Sequence, residues 1–306
     1  MKVIVLGGCG FLGSHVAEQL LQRGHDVSIF ARPNADRRNL RAVENRLHFI
    51  SGDFLNVEDV RRAIAGKDAV IHLVGSTLPG HSLVNPAFDI QTHVVASTNL
   101  FSACVEAGVS RIIYASSGGT VYGIPKSLSI DESHPLDPII PYGLTKLSVE
   151  KLLGIYAYQY CLGHAILRLS NPYGSRQRPD TGQGVISTWM YHVRQGNPIE
   201  IWGDGSIVRD YIAVGDAASA IAMATESSSF NGVLNVGSGR GHSLNELIPM
   251  IEHAASRKLS VVYRQTRKSD VPRNVLNIAK IEAQLDWKAC TQLEDGIRAM
   301  WKDLSA

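Results

Sequence analysis

The 306-residue sequence predicts an α/β fold: a doubly wound parallel sheet followed by a smaller C-terminal α/β lobe. Three observations carry that expectation. Short, β-branched and nearly continuous apolar runs alternate with longer amphipathic segments through the first half, as strands buried on both faces and their crossover helices require. A glycine cluster, GGCGFLG at 7–13, lies between the first apolar run and the first amphipathic segment. After about residue 170 the alternation gives way to NPYGSRQRPDTGQG, a stretch rich in Pro, Gly and charge that leaves the sheet. The pattern is of Rossmann type.

In chain order, strands are expected at Lys2–Leu6, Asp26–Phe30, Leu47–Ser51, Ala69–Val74, Arg111–Ser116 and Gly163–Leu169. Helices fall between them at Phe11–Gln22, Val57–Ala65, Asn85–Glu106 and Tyr142–Tyr160. Beyond the loop come a helix at Val185–Gln195, a strand at Ile199–Trp202, a GDGS turn, a sheet strand at Val233–Val236 and a helix after GSGRGHS. Two C-terminal helices close the chain. The sheet unit is placed at residues 1–170, rejoined by about 207–238, and the smaller lobe at 171–306.

Composition narrows the function. With 44% hydrophobic and 19% charged residues and a net charge of +2, the chain is globular and carries no basic block that would favour nucleic acid. No apolar run approaches the roughly 20 residues of a membrane span. The opening MKVIVL reads as a first buried strand rather than a signal peptide, because glycines interrupt it and no cleavage site follows. Cys9, Cys104, Cys161 and Cys290 lie far apart without a CxxC pair, so neither a metal site nor a disulfide framework is expected. They read as four buried thiols, and a reducing cytoplasm fits them.

Glycines at 7, 10 and 13 allow a tight turn, and the following helix offers its first amides to a pyrophosphate. A dinucleotide cofactor is therefore expected. At the end of the second strand Ala31 stands where an acid would grip the ribose, and Arg32 follows. That pair either suits a 2′-phosphate, which keeps NADP open beside NAD, or places Arg32 over the adenine. Asp53 in SGDF either accepts from the adenine amino group or caps the next helix.

Farther on, YASSGGTVYG at 114–123 and PYGLTK at 141–146 bring a second constellation. Tyr142 and Lys146 are one helical turn apart and share a face. An ammonium and a cationic nicotinamide both favour a phenolate. Lowering a tyrosine by about three units takes roughly 4 kcal/mol.

Taken in order, GGCGFLG, SGDF, HLVG, SSGGTVYG, PYGLTK, RLSNPYG, GDGSIVRDYIAV, NVGSG and RKSDVPRN cover nearly the whole chain. The set resembles the extended short-chain dehydrogenase/reductase family in its nucleotide-sugar epimerase/dehydratase branch, and is most similar to UDP-hexose 4-epimerases. The resemblance implies that Gly7, Gly10, Phe11, Leu12 and Gly13 line the pyrophosphate loop. It sets Asp53 and Phe54 beside the adenine, and Leu73, Val74 and Gly75 beside the adjacent ribose. Tyr142 would be the base, with Lys146 lowering its pKa on the nicotinamide ribose. Asn171 would touch the sugar nucleotide, Arg209 and Arg267 would clamp its diphosphate, and Trp202, Tyr211 and Asp270 would lie toward the uracil. For Trp202 a core position, and for Arg209 an ion pair with Asp210, are the plainer readings. A homodimer packed through 85–106 and 142–160 is also implied.

Departures from the family pattern matter. Gly118 replaces the usual Ser or Thr, which leaves Ser117 or Thr120 to supply the catalytic hydroxyl; Thr120 is favoured. The acid that precedes VYG in dehydratases and decarboxylases is replaced by Gly119-Thr120, which argues against both reactions. Val95 stands where an asparagine is usual, and Asn274 where a bulkier residue restricts the sugar 2-substituent in some relatives. Arg176 and Arg178 either meet a C6 carboxylate or stand in solvent. The expected function is a UDP-sugar 4-epimerase acting on UDP-GlcNAc/UDP-GalNAc or UDP-Glc/UDP-Gal, with NAD tightly bound and recycled. The rivals are an NADP-dependent nucleotide-sugar reductase or dehydrogenase and a dinucleotide-sensing regulatory protein.

Overall fold

The computed structural model describes all residues except 76–78, 128, 180–183, 267–270 and 306, along with the side chains of all but those and 79, 81 and 305. Its strands are β1 (Lys2–Leu6), β2 (Asp26–Ala31), β3 (His48–Ser51), β4 (Ala69–His72), β5 (Arg111–Ser117), β6 (Gly163–Leu169), β7 (Asn171–Tyr173), β8 (Ile199–Trp202), β9 (Val208–Ala213), β10 (Gly232–Val236), β11 (Gly241–Ser243), β12 (Val261–Arg264) and β13 (Arg273–Asn274). Its α-helices are α1 (Phe11–Gln22), α2 (Val57–Ile64), α3 (Pro79–Ser82), α4 (Pro86–Asp89), α5 (Ala96–Glu106), α6 (Pro141–Tyr160), α7 (Val185–Gln195), α8 (Val214–Glu226), α9 (Leu244–Ala255), α10 (Ala279–Leu285) and α11 (Leu293–Ser305).

Seven strands pair in parallel in the order β10-β6-β5-β4-β1-β2-β3. The order reverses direction at β1/β4, where the carboxyl ends of a doubly wound sheet open a crevice. Alternation along each strand divides the core. Val3, Val5, Val27, Ile29, Ile71 and Ile113 pack with α1 and α8 on one face. Ile4, Leu6, Phe30, Val70, Ile112 and Tyr114 pack with α2, α5 and α6 on the other.

The remaining strands are short. β9 pairs with β7 and β13 in parallel and with β11 in antiparallel fashion, and β8 pairs with β12. Of the two strands within 207–238, β10 joins the large sheet and β9 stays in the small one. A third apolar cluster, around Trp189, Met190, Ile201, Tyr211, Leu247 and Ile251, fills this end of the molecule. A capping box at Ser243 and Glu246 starts α9.

Several expectations require correction. The thiols are not uniformly buried: Cys104 is, Cys9 is half-buried, and Cys161 and Cys290 are exposed. Cys161 terminates α6 with φ +52°, a helix end at the surface rather than a core position. The segment 85–106 is not one regular α-helix. Asn85 caps a single α-turn by accepting from the Phe88 amide, and a π-helical stretch at Ile90–Val95 separates that turn from α5. β4 ends at His72, so Leu73 and Val74 lie beyond the sheet.

Candidate active site

The glycine loop is built by exclusion. Gly7 adopts φ +86°, and a Cβ on Gly13 would lie 2.4 Å from the Gly7 carbonyl oxygen. The Gly10 amide donates to that same carbonyl at 3.1 Å. The loop therefore closes tightly onto the start of α1, and the amides of that helix face a cavity of about 660 Å³. Gly7, Gly10, Phe11, Leu12, Gly13, Leu73 and Gly75 are among the residues that line this cavity. Ser117, Thr120, Tyr142, Lys146, Asn171 and Arg209 line the same cavity. Such a cradle fits the pyrophosphate of a dinucleotide.

Tyr142 occupies the first turn of α6, opened by Pro141, where a missing N–H costs nothing. Its amide donates to Ser82 Oγ at 3.1 Å. One turn on, the Lys146 Nζ donates to the Ala115 carbonyl at 3.0 Å and lies 5.7 Å from the Tyr142 ring centroid. Burial pulls Lys146 down to about 8, against the pull of the Asp89 and Glu150 carboxylates. Tyr142 is pushed up to about 12, first by burial and then by the Asp89 charge. In the protein alone burial and the Asp89 charge hold the phenol protonated, and the expected phenolate rests on a cationic nicotinamide beside Lys146.

A buried polar network that the sequence motifs do not mark stands behind the pair. Ser116 donates to Glu150, which also takes Arg168 Nε at 3.1 Å and Nη2 at 2.6 Å. Arg168 Nη1 reaches the Tyr122 hydroxyl at 3.0 Å, and that hydroxyl donates to Asn235 Oδ1 at 2.6 Å. On the other side His93 Nε2 meets the Tyr114 hydroxyl at 3.0 Å, and His72 Nε2 meets Ser97 Oγ at 2.8 Å. Burial and the Lys146 charge hold His72 at about 3 and depress His93 as well, so both imidazoles are neutral. Glu150 follows Lys146 at four residues on one helix face, and Arg168 interrupts an apolar strand. Those were the available signals.

Ser117 and Thr120 both line the cavity, and a side chain on Gly118 between them would crowd its neighbours. A Cβ there would lie 2.6 Å from Leu276 Cδ1 and 3.1 Å from the Arg168 carbonyl oxygen. Thr120 Oγ1 is buried without a hydrogen-bond partner. Asn274 does not line the cavity; it is buried beneath Gly118 and donates to its carbonyl at 3.0 Å. Val95 is half exposed on the outside.

A second cavity, of about 430 Å³, shares Asn171 and Arg209 with the first and includes Trp202, Tyr211, Trp189 and Thr188. Trp202 thus stands at a cavity wall, and the Tyr211 hydroxyl is buried without a partner. Asn171 Nδ2 donates to the Asp210 carbonyl at 2.9 Å, and Arg209 Nη1 to the Val271 carbonyl at 2.6 Å. The Asp210 carboxylate accepts from Ser238, Gly239 and Leu276.

Other expected residues lie apart. Arg32 and Asp53 are exposed outside both cavities. Asp53 Oδ1 accepts from the Leu55 amide, while Asn56 caps α2, so Asp53 is not the cap. Phe54 is buried against His72, with ring centroids 5.1 Å apart, and Val74 packs on the same core. Arg176 is neither solvent-borne nor in the cavity, since it pairs with Glu18 on α1 at 2.6 Å; Arg178 is exposed. Arg267 and Asp270 lie outside the described residues.

The family model described as "NAD dependent epimerase/dehydratase family" matches residues 3–237. The chain belongs to that family. Within it, a UDP-glucose 4-epimerase of Mycolicibacterium smegmatis is 31% identical over 301 residues, covering 97% of this chain and 96% of the relative. The crystal structure of a Thermotoga maritima UDP-glucose 4-epimerase with UDP-glucose superposes with a TM-score of 0.94 at 31% identity, over 100% of this chain and 99% of the other. A dTDP-glucose 4,6-dehydratase of Streptomyces venezuelae, solved with NAD, gives 0.93 at 27% identity, over 100% and 97%. The seven-stranded parallel sheet with its flanking helices is the architecture of these epimerase structures. None of the helices among the described residues is long and apolar enough to cross a membrane.

Proposed function

We propose that the protein is a UDP-sugar 4-epimerase working through a transient 4-keto sugar. The observation that carries this reading is one cavity shared by a glycine cradle, a Tyr142–Lys146 pair and the unpartnered Thr120 hydroxyl, opening past Asn171 and Arg209 into a second cavity. A dinucleotide on one side and a sugar nucleotide on the other meet at Tyr142. Residues 1–170, rejoined by about 207–238, hold the dinucleotide, and 171–306 hold the sugar nucleotide.

The dinucleotide, NAD in this reading, supplies reversible hydride acceptance and stays bound between turnovers. Gly7, Gly10, Phe11, Leu12 and Gly13 seat its pyrophosphate. Leu73 and Gly75, on the cavity lining, would lie toward its adenosine half, with Asp53, Phe54 and Val74 beyond that lining. Tyr142 takes the C4 hydroxyl proton as hydride leaves C4, and Thr120 passes a hydrogen bond between phenol and sugar. After the keto sugar turns over, hydride would return to its other face and the same phenol would give the proton back to the C4 oxygen. Bringing Tyr142 from about 12 to neutrality requires about 7 kcal/mol, which Lys146 and the cofactor's cationic ring must provide together. Proton transfer of this kind is worth roughly 10²–10⁴-fold.

Arg209 and Arg267 clamp the diphosphate, for which a guanidinium fork is suited. Asn171, Trp202, Tyr211 and Asp270 hold the nucleoside side. Residues 117–120 carry no carboxylate to protonate a leaving hydroxyl, which separates this chain from a dehydratase. A homodimer is supported by exposed apolar residues on the two segments the family resemblance singled out: Phe88, Ile90 and Val95 on one, Leu144, Ile155 and Tyr158 on the other. Unpaired thiols suit a cytoplasmic setting.

An NMR time course with UDP-GlcNAc, UDP-glucose and UDP-glucuronate, each without added cofactor, tests the reading. Formation of the 4-epimer with no net absorbance change at 340 nm is expected. A second reading, an NADP-dependent nucleotide-sugar reductase, draws on Arg32, exposed just past β2 with Ala31 before it. Stoichiometric change at 340 nm without epimer would establish it instead.

A further inference from the structure

We propose that Asn274 is a positioning residue for Thr120, acting through the Gly118 carbonyl. The inference rests on the reading of Thr120 as the catalytic hydroxyl. Asn274 is 1% exposed; its Nδ2 donates to Gly118 while its Oδ1 is buried without a partner. An apolar residue of that size would avoid an unsatisfied carbonyl. The amide is therefore retained for its one bond, and an orphaned buried atom asks for a reason beyond stability.

The bond falls where the backbone has least guidance of its own. Gly118 and Gly119 are adjacent glycines, each with wide conformational freedom. The turn they form is held from three directions. Gly118 N–H donates to the Leu169 carbonyl at 2.8 Å, Leu276 fills the space a side chain would take, and Asn274 fixes the carbonyl. Thr120 and Val121 then donate their amides to the Ser117 carbonyl at 3.2 and 3.1 Å. Without Asn274 the peptide between the glycines can rotate, and Thr120 moves with it.

The same segment reaches the other end of the site. The Val271 carbonyl accepts from Arg209, Asn274 pairs with Arg209 in the strand register, and the Leu276 amide donates to Asp210. Residues 271–276 thus join the guanidinium assigned to the diphosphate with the turn that carries the hydroxyl. Remote binding contacts of this kind help to set geometry at the reacting end.

The test combines Asn274→Ser, Thr120→Val and the double variant, reading kcat with a UDP-hexose, the inhibition constant of UDP and the thermal midpoint. A misplacement near 1 Å can cost about 100-fold in rate, so Asn274→Ser is expected to lower kcat roughly 10- to 100-fold with UDP inhibition unchanged. In the Thr120→Val background the same substitution is expected to change kcat less than about twofold, because coupled sites are not additive. Full loss repeated in that background, or an unchanged kcat in Asn274→Ser, overturns the inference. A Thr120→Val enzyme with normal kcat overturns the underlying reading of Thr120 and is told apart by that single variant. Asn274→Ala, which has no side-chain donor where serine has a shorter one, stands in if the serine variant does not fold.

Discussion

Replacing Arg168 by Met removes one half of the ion pair behind the catalytic wall and leaves the other half in place. Arg168 and Glu150 are each 3% exposed, and they are joined through Nε and Nη2. Taking away one member of such a pair costs about 3–5 kcal/mol, because the remaining charge stays buried with only the Ser116 hydroxyl and the Lys146 ammonium to offset it. Met keeps most of the stem's packing, so the loss is electrostatic. The lone Glu150 carboxyl then has a folded-state pKa above its unfolded value of about 4.3. Protonation favours the fold, so the deficit is present at high pH and disappears as pH falls toward the unfolded value. The deficit is therefore expected to be several-fold larger at pH 8 than at pH 5. Urea unfolding of wild type and Arg168→Met at both pH values measures it. Equal deficits at pH 5 and pH 8, or one below about 1 kcal/mol at pH 8, would refute the account of a carboxylate left without its main partner.

Two further outcomes follow from the buried groups and the glycine loop. His72 is held at about 3 when folded and titrates near 6.5 when unfolded, so below pH 6.5 the unfolded chain binds the extra proton and stability falls. The loss from this residue alone is about 2 kcal/mol at pH 5, and His72→Gln should flatten the dependence of the thermal midpoint between pH 7.5 and 5; an unchanged slope would exclude His72 as its source. Gly13→Ala sets a methyl group 2.4 Å from the Gly7 carbonyl oxygen, so the purified variant should carry at least tenfold less dinucleotide, seen in its ratio of absorbance at 260 and 280 nm; normal cofactor content would show that the loop can open without losing its ligand.

The large sheet was legible because its signals are local. β1 and α1 have the boundaries the sequence indicates, since an apolar run, a glycine turn and an amphipathic helix follow one another within Lys2–Gln22. The π-helical stretch at Ile90–Val95 was not, because its apolar content continues that of its neighbours. Nor were β7, β11 and β13, strands of two or three residues whose existence depends on pairing with β9 far along the chain. In the site, Tyr142, Lys146, Thr120 and the glycines come from contiguous motifs, and the cavity brings them together. Leu276 filling the slot at Gly118, and Asn274 turning away from the cavity, join residues more than 150 positions apart, a relation that spacing cannot reveal.

The outermost place of β10 bears on how the chain is made. Until Gly232–Val236 emerges, β6 has a neighbour on one side alone, and the backbone groups of Ala165–Leu169 present a bare apolar edge. At a synthesis rate of roughly 5–20 residues per second, that edge waits for seconds on the ribosome, long compared with the pairing of two strands. An unpaired edge is a template for any strand that meets it. Nascent chains stopped before residue 230 are therefore the species most prone to pair with each other, and crowded translation of this message is where a holding chaperone has the most to protect.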